Sequence, residues 1–246
     1  MHPVLWSWGP VTLYTYGVML AIAVLAAMQL ARRRAVAAQV PTDRIMDLCL
    51  ITLLGGIVGA RAVYVAQHWP LYAETPLEIL RLDHGGLVYY GGLCGGTAAA
   101  LLAIARWRWP FWATLDLLVP SVALAQGIGR LGCFFNGCCY GKRAYLPWAV
   151  RYPFLPYPVH PVQIYEAVFN VTAFFFLLAL HARKRFHGET TIAYLIIYAV
   201  GRFFLEMYRG DNMPFLWGCT LPQVMSLGFV LFASLLYSLR FRFRKS

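Results

Sequence analysis

Seven stretches of roughly 17–25 mostly apolar residues recur along the sequence, at about 11–31, 45–66, 88–106, 111–128, 162–181, 190–208 and 219–239. Runs of that length are long enough to cross a bilayer as helices, and little else accommodates them. Lipid offers no water to backbone N–H and C=O groups, so spanning segments must satisfy those groups internally. Composition agrees: 60% of the residues are hydrophobic and 13% charged, where soluble domains carry about 45–50% and about 25%. The predicted fold class is an all-α integral membrane protein of about seven transmembrane helices, one polytopic domain over residues 1–246. The fourth run is the weakest, because Asp116 and Pro120 interrupt it and a proline inside a span needs help from neighbouring groups. The N-terminal MHPVLWSWGPV has no basic start and no small-residue cleavage site, so the first run reads as a mature span. Trp6, Trp8, Trp69, Trp107, Trp109, Trp112 and Trp217 lie near the ends of the runs, where amphipathic rings settle at an interface.

Basic residues collect at alternate ends of these runs. Arg32, Arg33, Arg34 and Arg44 follow the first, Arg106 and Arg108 the third, Arg183, Lys184 and Arg185 the fifth, and Arg240, Arg242, Arg244 and Lys245 the last. Positive residues stay on the cytoplasmic side, so the N-terminus is expected outside and the C-terminus in the cytoplasm. This bias, with attraction to anionic lipid headgroups, accounts for the net charge of +11 without nucleic acid. The longest polar linkers, 67–87 and 129–161, then lie outside. The first mixes aromatics, prolines and a short Leu/Ile periodicity and is expected to lie along the outer interface. The second forms a small extracytoplasmic head segment.

Charge within the runs is costly, at least about 2.5–3.5 kcal/mol per group at a helix centre, and is rarely found without a partner or a role. Arg61, Arg130 and the Arg202/Glu206 pair stand there. The pair is spaced i and i+4 and shares a helix face, so mutual neutralisation is one reading of it. Three arginines with few acids nearby favour an anionic ligand, since a guanidinium grips phosphate through two parallel hydrogen bonds. Glycines accompany each arginine. GGIVGARAVY (55–64) and GGLVYYGGLCGG (85–96) read equally as close helix packing. GIGRLGCFFNGCCYG (127–141) joins glycines, Arg130, Asn136 and three cysteines at a span-to-loop junction, where irregular backbone must line a cavity or be buried in protein.

GRLGCFFNGCCYGK (129–142) resembles the signature of the bacterial prolipoprotein diacylglyceryl transferases. Further blocks match in the same order: Tyr16-Gly17, GARAVYV with the GGLVYYGGL turn, HPVQIYEA (160–167) and GRFFLEMYRGD (201–211). The resemblance covers most of the chain. It implies transfer of the diacylglyceryl group of phosphatidylglycerol to the lipobox cysteine thiol of a preprolipoprotein, in the bacterial cytoplasmic (inner) membrane, with the site toward the extracytoplasmic side. Such a displacement at carbon by sulfur needs a positive clamp for the leaving phosphate and a base or field that generates thiolate. By motif match Arg130 and Arg202 are the clamp and Glu206 orients Arg202, with Tyr16, Tyr90 and His160 as further catalytic candidates. Arg61, Gly91, Gly92, Asn136, Gly141, Gln163, Tyr165, Glu166 and Arg209 are the candidate substrate-binding residues. No soluble cofactor motif is visible.

The chain departs from the family pattern at three positions. Many members carry Asn where this chain has Cys133, Glu where it has Cys138, and His where it has Tyr90. A phenol with an ordinary pKa of about 10 is a poor base near neutrality, which leaves His160 as a candidate base. For Cys133, Cys138 and Cys139, a disulfide from Cys133 to Cys138 or Cys139 is expected first and free thiols next. A metal is not expected, since zinc favours four ligands and only His160 is an obvious further donor. Cys49, Cys94 and Cys219 read as small packing residues. Other functions stay open: a membrane thiol oxidoreductase built on the cysteines, a transporting bundle, and a related lipid transferase with a different acceptor.

Overall fold

The computed structural model describes residues 4–9, 11–81, 85–210 and 212–243. Arg244, Lys245, Asp211 and the 82–84 part of the outer linker lie outside the described residues. The chain divides into two compact units, one of Met1–Leu30 with Leu115–Ser246 and one of Ala31–Thr114.

The first unit opens with an antiparallel hairpin, β1 (Val4–Trp8) and β2 (Val11–Tyr14), turning at Gly9 with φ of 55°. The sequence places residues 11–14 in the first span. They pair as a strand instead, and helix α1 runs Thr15–Ala37. The second unit holds α2 (Thr42–Gln67), α3 (Trp69–Glu74), a 3-10 turn at Pro76–Leu80 and α4 (Tyr89–Arg106). Glycine brings α2 and α4 together. A Cβ on Gly59 would lie 2.4 Å from the Gly91 carbonyl oxygen, and one on Gly95 2.4 Å from that of Gly55. Both glycine runs in this unit therefore serve close packing, Gly91 and Gly92 included; Gly92 sits against Gly56 and Ala60. The linker after α2 exposes Trp69, Leu71, Leu77 and Leu80.

Helix α5 (Phe111–Asn136) continues through Pro120 and well past the expected end near residue 128. Gly129 and Gly132 read as loop in the sequence but lie on the helix, where Gly132 packs against Tyr16 and Met19 of α1, while Gly127, within the expected span, packs on α6 (Val162–Ala182). The head segment thus begins at Gly137, and Arg130, Cys133 and Asn136 stand on the helix. Asp116 is not an interruption. Fully buried, its carboxylate accepts the Gly188 and Thr191 amides at 2.8 and 2.9 Å and the Thr191 hydroxyl at 2.8 Å, with Lys184 at 3.3 Å. These bonds cap α7 (Glu189–Glu206), whose N-terminal amides lack helical partners and whose dipole favours a negative charge there. A hairpin, β3 (Pro214–Leu216) and β4 (Cys219–Thr220), leads into α8 (Leu221–Phe243). Val119, Ala123, Phe174, Leu177 and Tyr194 form the apolar core of this unit.

Among the described residues, α1, α2, α5, α6 and α8 are long and apolar enough to cross a membrane. The other two expected spans are helices α4 and α7, each of 18 residues. Helix α4 is diluted by its glycines and tyrosines, and α7 carries Glu189, Arg202 and Glu206.

Candidate active site

Three elements of the first unit converge on one acid. Helix α6 presents Glu166, α5 presents Arg130, and α7 presents Arg202 and, one turn later, Glu206. Arg130 Nε lies 2.7 Å from Glu166 Oε2, and Arg202 Nη1 donates to Glu166 Oε1 at 2.7 Å. The second arm of Arg202, Nη2, reaches Glu206 Oε2 at 2.7 Å, so this guanidinium bridges two carboxylates. Arg209, just beyond α7, lies 3.6 Å from Glu166 and 3.8 Å from Glu206. Glu206 Oε1 also accepts Thr220 Oγ1 at 3.0 Å and the amide of Asn212.

Burial sorts these groups. The Glu166 side chain is 4% exposed, whereas those of Arg130 and Arg202 are 24% and 18% exposed. The acids are sealed and hold the arginines in place, and two guanidinium groups still reach the open side. Three arginines against two carboxylates leave a surplus positive charge in a medium of low dielectric, where an anion is strongly attracted. Arg130, Glu166, Asn170, Arg202, Phe169, Tyr198 and Leu205 line a small cleft there. Asn170 donates to the Glu166 carbonyl oxygen at 2.7 Å, and its own Oδ1 is buried with no hydrogen-bond donor among the described residues. Asn170 and Tyr198 escape a motif-based reading, although Asn170 is one turn after Glu166 and Tyr198 one turn before Arg202. The same holds for Thr220 and Asn212, which steady Glu206 from outside α7.

Next to this network lies a second group. The Sγ atoms of Cys133, Cys138 and Cys139 are within 4.8 Å of one another, and all three are free thiols, not the expected disulfide. Gly137, at φ of 77°, closes α5 by turning its amide onto the Cys133 carbonyl at 3.0 Å. The buried Gln163 pins the following residue, donating from Nε2 to the Cys138 carbonyl at 2.6 Å and to Tyr152 Oη at 2.8 Å. Hydrogen bonds with the Cys133 and Cys138 thiols, and the Arg209 guanidinium, hold the Cys139 thiol well below its usual range. Burial pushes the Tyr152 phenol up. Tyr16, on the first turn of α1, is within electrostatic reach of the three cysteines and Arg130, and Asn136 hydrogen-bonds Cys138.

His160 belongs to a third, aromatic group. Its Nδ1 is 3.3 Å from Tyr165 Oη, which also accepts Trp148 Nε1 at 2.8 Å, and its ring meets Tyr208 edge-on. Gly141 ties the head segment down: its amide donates to the His160 carbonyl at 2.9 Å, and the Lys142 amide to that of Tyr208 at 2.8 Å. A Cβ on Gly141 would fall 2.6 Å from His160, Tyr208 and Val162 alike, so no other residue fits.

The remaining candidates belong to the second unit. Arg61 donates to four main-chain carbonyls, those of Glu78, Ile79, Gly85 and Gly86, at 2.6 to 3.2 Å. That engagement anchors the linker between α2 and α4. Tyr90 is exposed on the first turn of α4 and packs edge-on against Tyr89.

The family model described as prolipoprotein diacylglyceryl transferase matches residues 3–239. A phosphatidylglycerol–prolipoprotein diacylglyceryl transferase of Clostridium tetani is 36% identical over 250 residues, covering 100% of both chains. One from Synechococcus elongatus is 36% identical, covering 95% of this chain and 85% of the relative. Another from Geobacillus kaustophilus is 35% identical, covering 94% and 90%.

Proposed function

The chain belongs to the prolipoprotein diacylglyceryl transferase family, and from that premise we propose that it moves the diacylglyceryl group of phosphatidylglycerol to the lipobox cysteine of a preprolipoprotein. The observation that carries this reading is the Arg130–Glu166–Arg202–Glu206 network around one cleft. Sulfur attacks the glycerol carbon that bears the phosphate. The S–C bond forms as the C–O bond breaks, and glycerol phosphate leaves with the electron pair and one more negative charge than the diester carried. Arg130 and Arg202 meet that developing charge, and donors fixed beforehand by Glu166 and Glu206 need no reorganisation as it appears. Phosphatidylglycerol also brings free headgroup hydroxyls, and the unpartnered Asn170 Oδ1 in the cleft lining suits such a donor.

Helices α4 and α7 join the five long apolar helices as spans in this reading, with the N-terminus outside and the site on the extracytoplasmic side of the cytoplasmic membrane. His160 stays a candidate base, and Tyr16, Asn136, Gln163, Tyr165 and Arg209 the surrounding support. Arg61, Tyr90, Gly91 and Gly92 are assigned to the same reaction only through the family motif. Expression in a bacterium depleted of its own transferase tests the function: lipoprotein processing should recover with the wild-type chain and fail with Arg130→Ala or Arg202→Ala. No recovery by a correctly inserted wild-type chain would sink the proposal and favour a different acceptor.

A further inference from the structure

The three cysteines beside Arg130 and Arg209 have no part in the clamp, and their geometry asks for a ligand. Two thiols suffice for a disulfide and would leave the third unused. Here three Sγ atoms share one spot, mutually within 4.8 Å. A zinc ion bound at about 2.3 Å by three thiolates needs sulfur separations of about 3.8–4.0 Å, a small contraction from this arrangement. The supports are rigid. Cys133 is on the last turn of α5, Gln163 of α6 clamps the main chain of Cys138, and Cys139 is held at φ of 60°, a conformation that side-chain-bearing residues rarely adopt. Strain of that kind persists only where the surroundings impose it, and it concentrates at functional sites. Three thiolates on a divalent cation sum to one negative charge, with Arg130 and Arg209 in electrostatic reach to balance it.

We infer that Cys133, Cys138 and Cys139 form a three-thiolate site for a zinc-class cation whose fourth position is open to a thiol. The sequence argues against a metal only by requiring a fourth protein ligand. Among the described residues His160 does not join the group, and three protein ligands with an open position are the pattern of catalytic rather than structural zinc. The identity of the incoming thiol rests on the transferase reading: it is the acceptor cysteine. On coordination its proton is released to solvent, because a metal-bound thiol is deprotonated outright. The resulting thiolate, the nucleophilic form, then forms the S–C bond, and the neutral thioether product binds the ion weakly and departs. The site thus supplies the thiolate that Tyr90 is ill-suited to generate.

The test uses the full chain in detergent, reduced, stripped by a chelator and titrated with cobalt(II). One cobalt per chain should bind with thiolate-to-metal charge-transfer absorption, and zinc should displace it while protecting three thiols from alkylation. Cys133→Ser, Cys138→Ser and Cys139→Ser should each abolish tight binding. A lipobox peptide should raise the charge-transfer intensity by about a third, four sulfurs replacing three, and its Cys→Ser analogue should leave it unchanged. Absence of stoichiometric cobalt in the wild-type chain overturns the site, a result that does not depend on how the variants fold. Equal response to the two peptides overturns the open thiol position. The spectrum needs no turnover, so an inactive chain that still binds one cobalt counts for the metal site and against the transfer reading.

Discussion

Arg202 shows how much one side chain does in this site. Its two Nη arms engage Glu166 and Glu206 at 2.7 Å each, a planar fork that an ammonium cannot reproduce. Arg202→Lys keeps the charge yet cannot hold both acids, so the initial rate of diacylglyceryl transfer in phosphatidylglycerol vesicles should fall by between about 10- and 100-fold. Retention of the wild-type rate would reduce the network to scaffolding. Half of this arrangement was legible beforehand. Arg202 and Glu206 are four residues apart and must share a helix face, whereas Glu166 meets Arg130 and Arg202 across separations of 36 residues each, which no local pattern encodes. Arg61 is the complementary case: its depth in an apolar run signals a partner or a role, and only geometry reveals that it holds four carbonyls of the following linker.

Among the elements, α7 owes its start to a residue on another helix. Asp116→Ala removes the acceptor for the Gly188 and Thr191 amides and should destabilise the protein by on the order of 2 kcal/mol. The readouts are a lower thermal midpoint in detergent and faster proteolysis between α6 and α7. In α2, Gly59→Ala would drive a methyl against the Gly91 carbonyl oxygen, whereas a Cβ at Gly17 meets nothing within 4 Å. The first substitution should lower the yield of folded protein several-fold and the second leave it unchanged, as judged by gel filtration in detergent. Helix existence was readable from apolar runs because lipid enforces it. Helix ends were not: α5 overruns its expected stop near residue 128, and Gly132, read as loop, is instead the place where α1 approaches it.

Across the whole molecule, polar and apolar surfaces are placed as a lipid solvent requires. Glu166, Asn170, Thr190, Gln163 and Glu206 are buried, while Leu227, Phe229, Leu231, Phe232 and Leu235 of α8 are exposed. A soluble protein of this size could not leave such a surface uncovered. The basic clusters predict the sidedness. Single cysteines introduced into a cysteine-free chain at 71–77 should react with an impermeant thiol reagent in intact cells, and those at 36–39 only after permeabilisation. The reverse pattern would place the clamp in the cytoplasm and refute an extracytoplasmic acceptor.

The seam at Gly141 has a consequence for how such a protein can diversify. Main-chain bonds from Gly141 and Lys142 to His160 and Tyr208 fasten both ends of the head segment next to Arg209. These bonds are indifferent to side chains, so the exposed positions of the stretch from Tyr145 to Tyr157, Tyr145 and Leu146 among them, can be rewritten or exchanged between homologues without moving Arg209, while the buried Tyr152 stays to hold Gln163 and Trp148 to hold Tyr165. Recognition of different acceptor peptides can therefore evolve on that stretch while the chemistry beneath it stays constant, and the same stretch is the natural place to graft a foreign acceptor specificity.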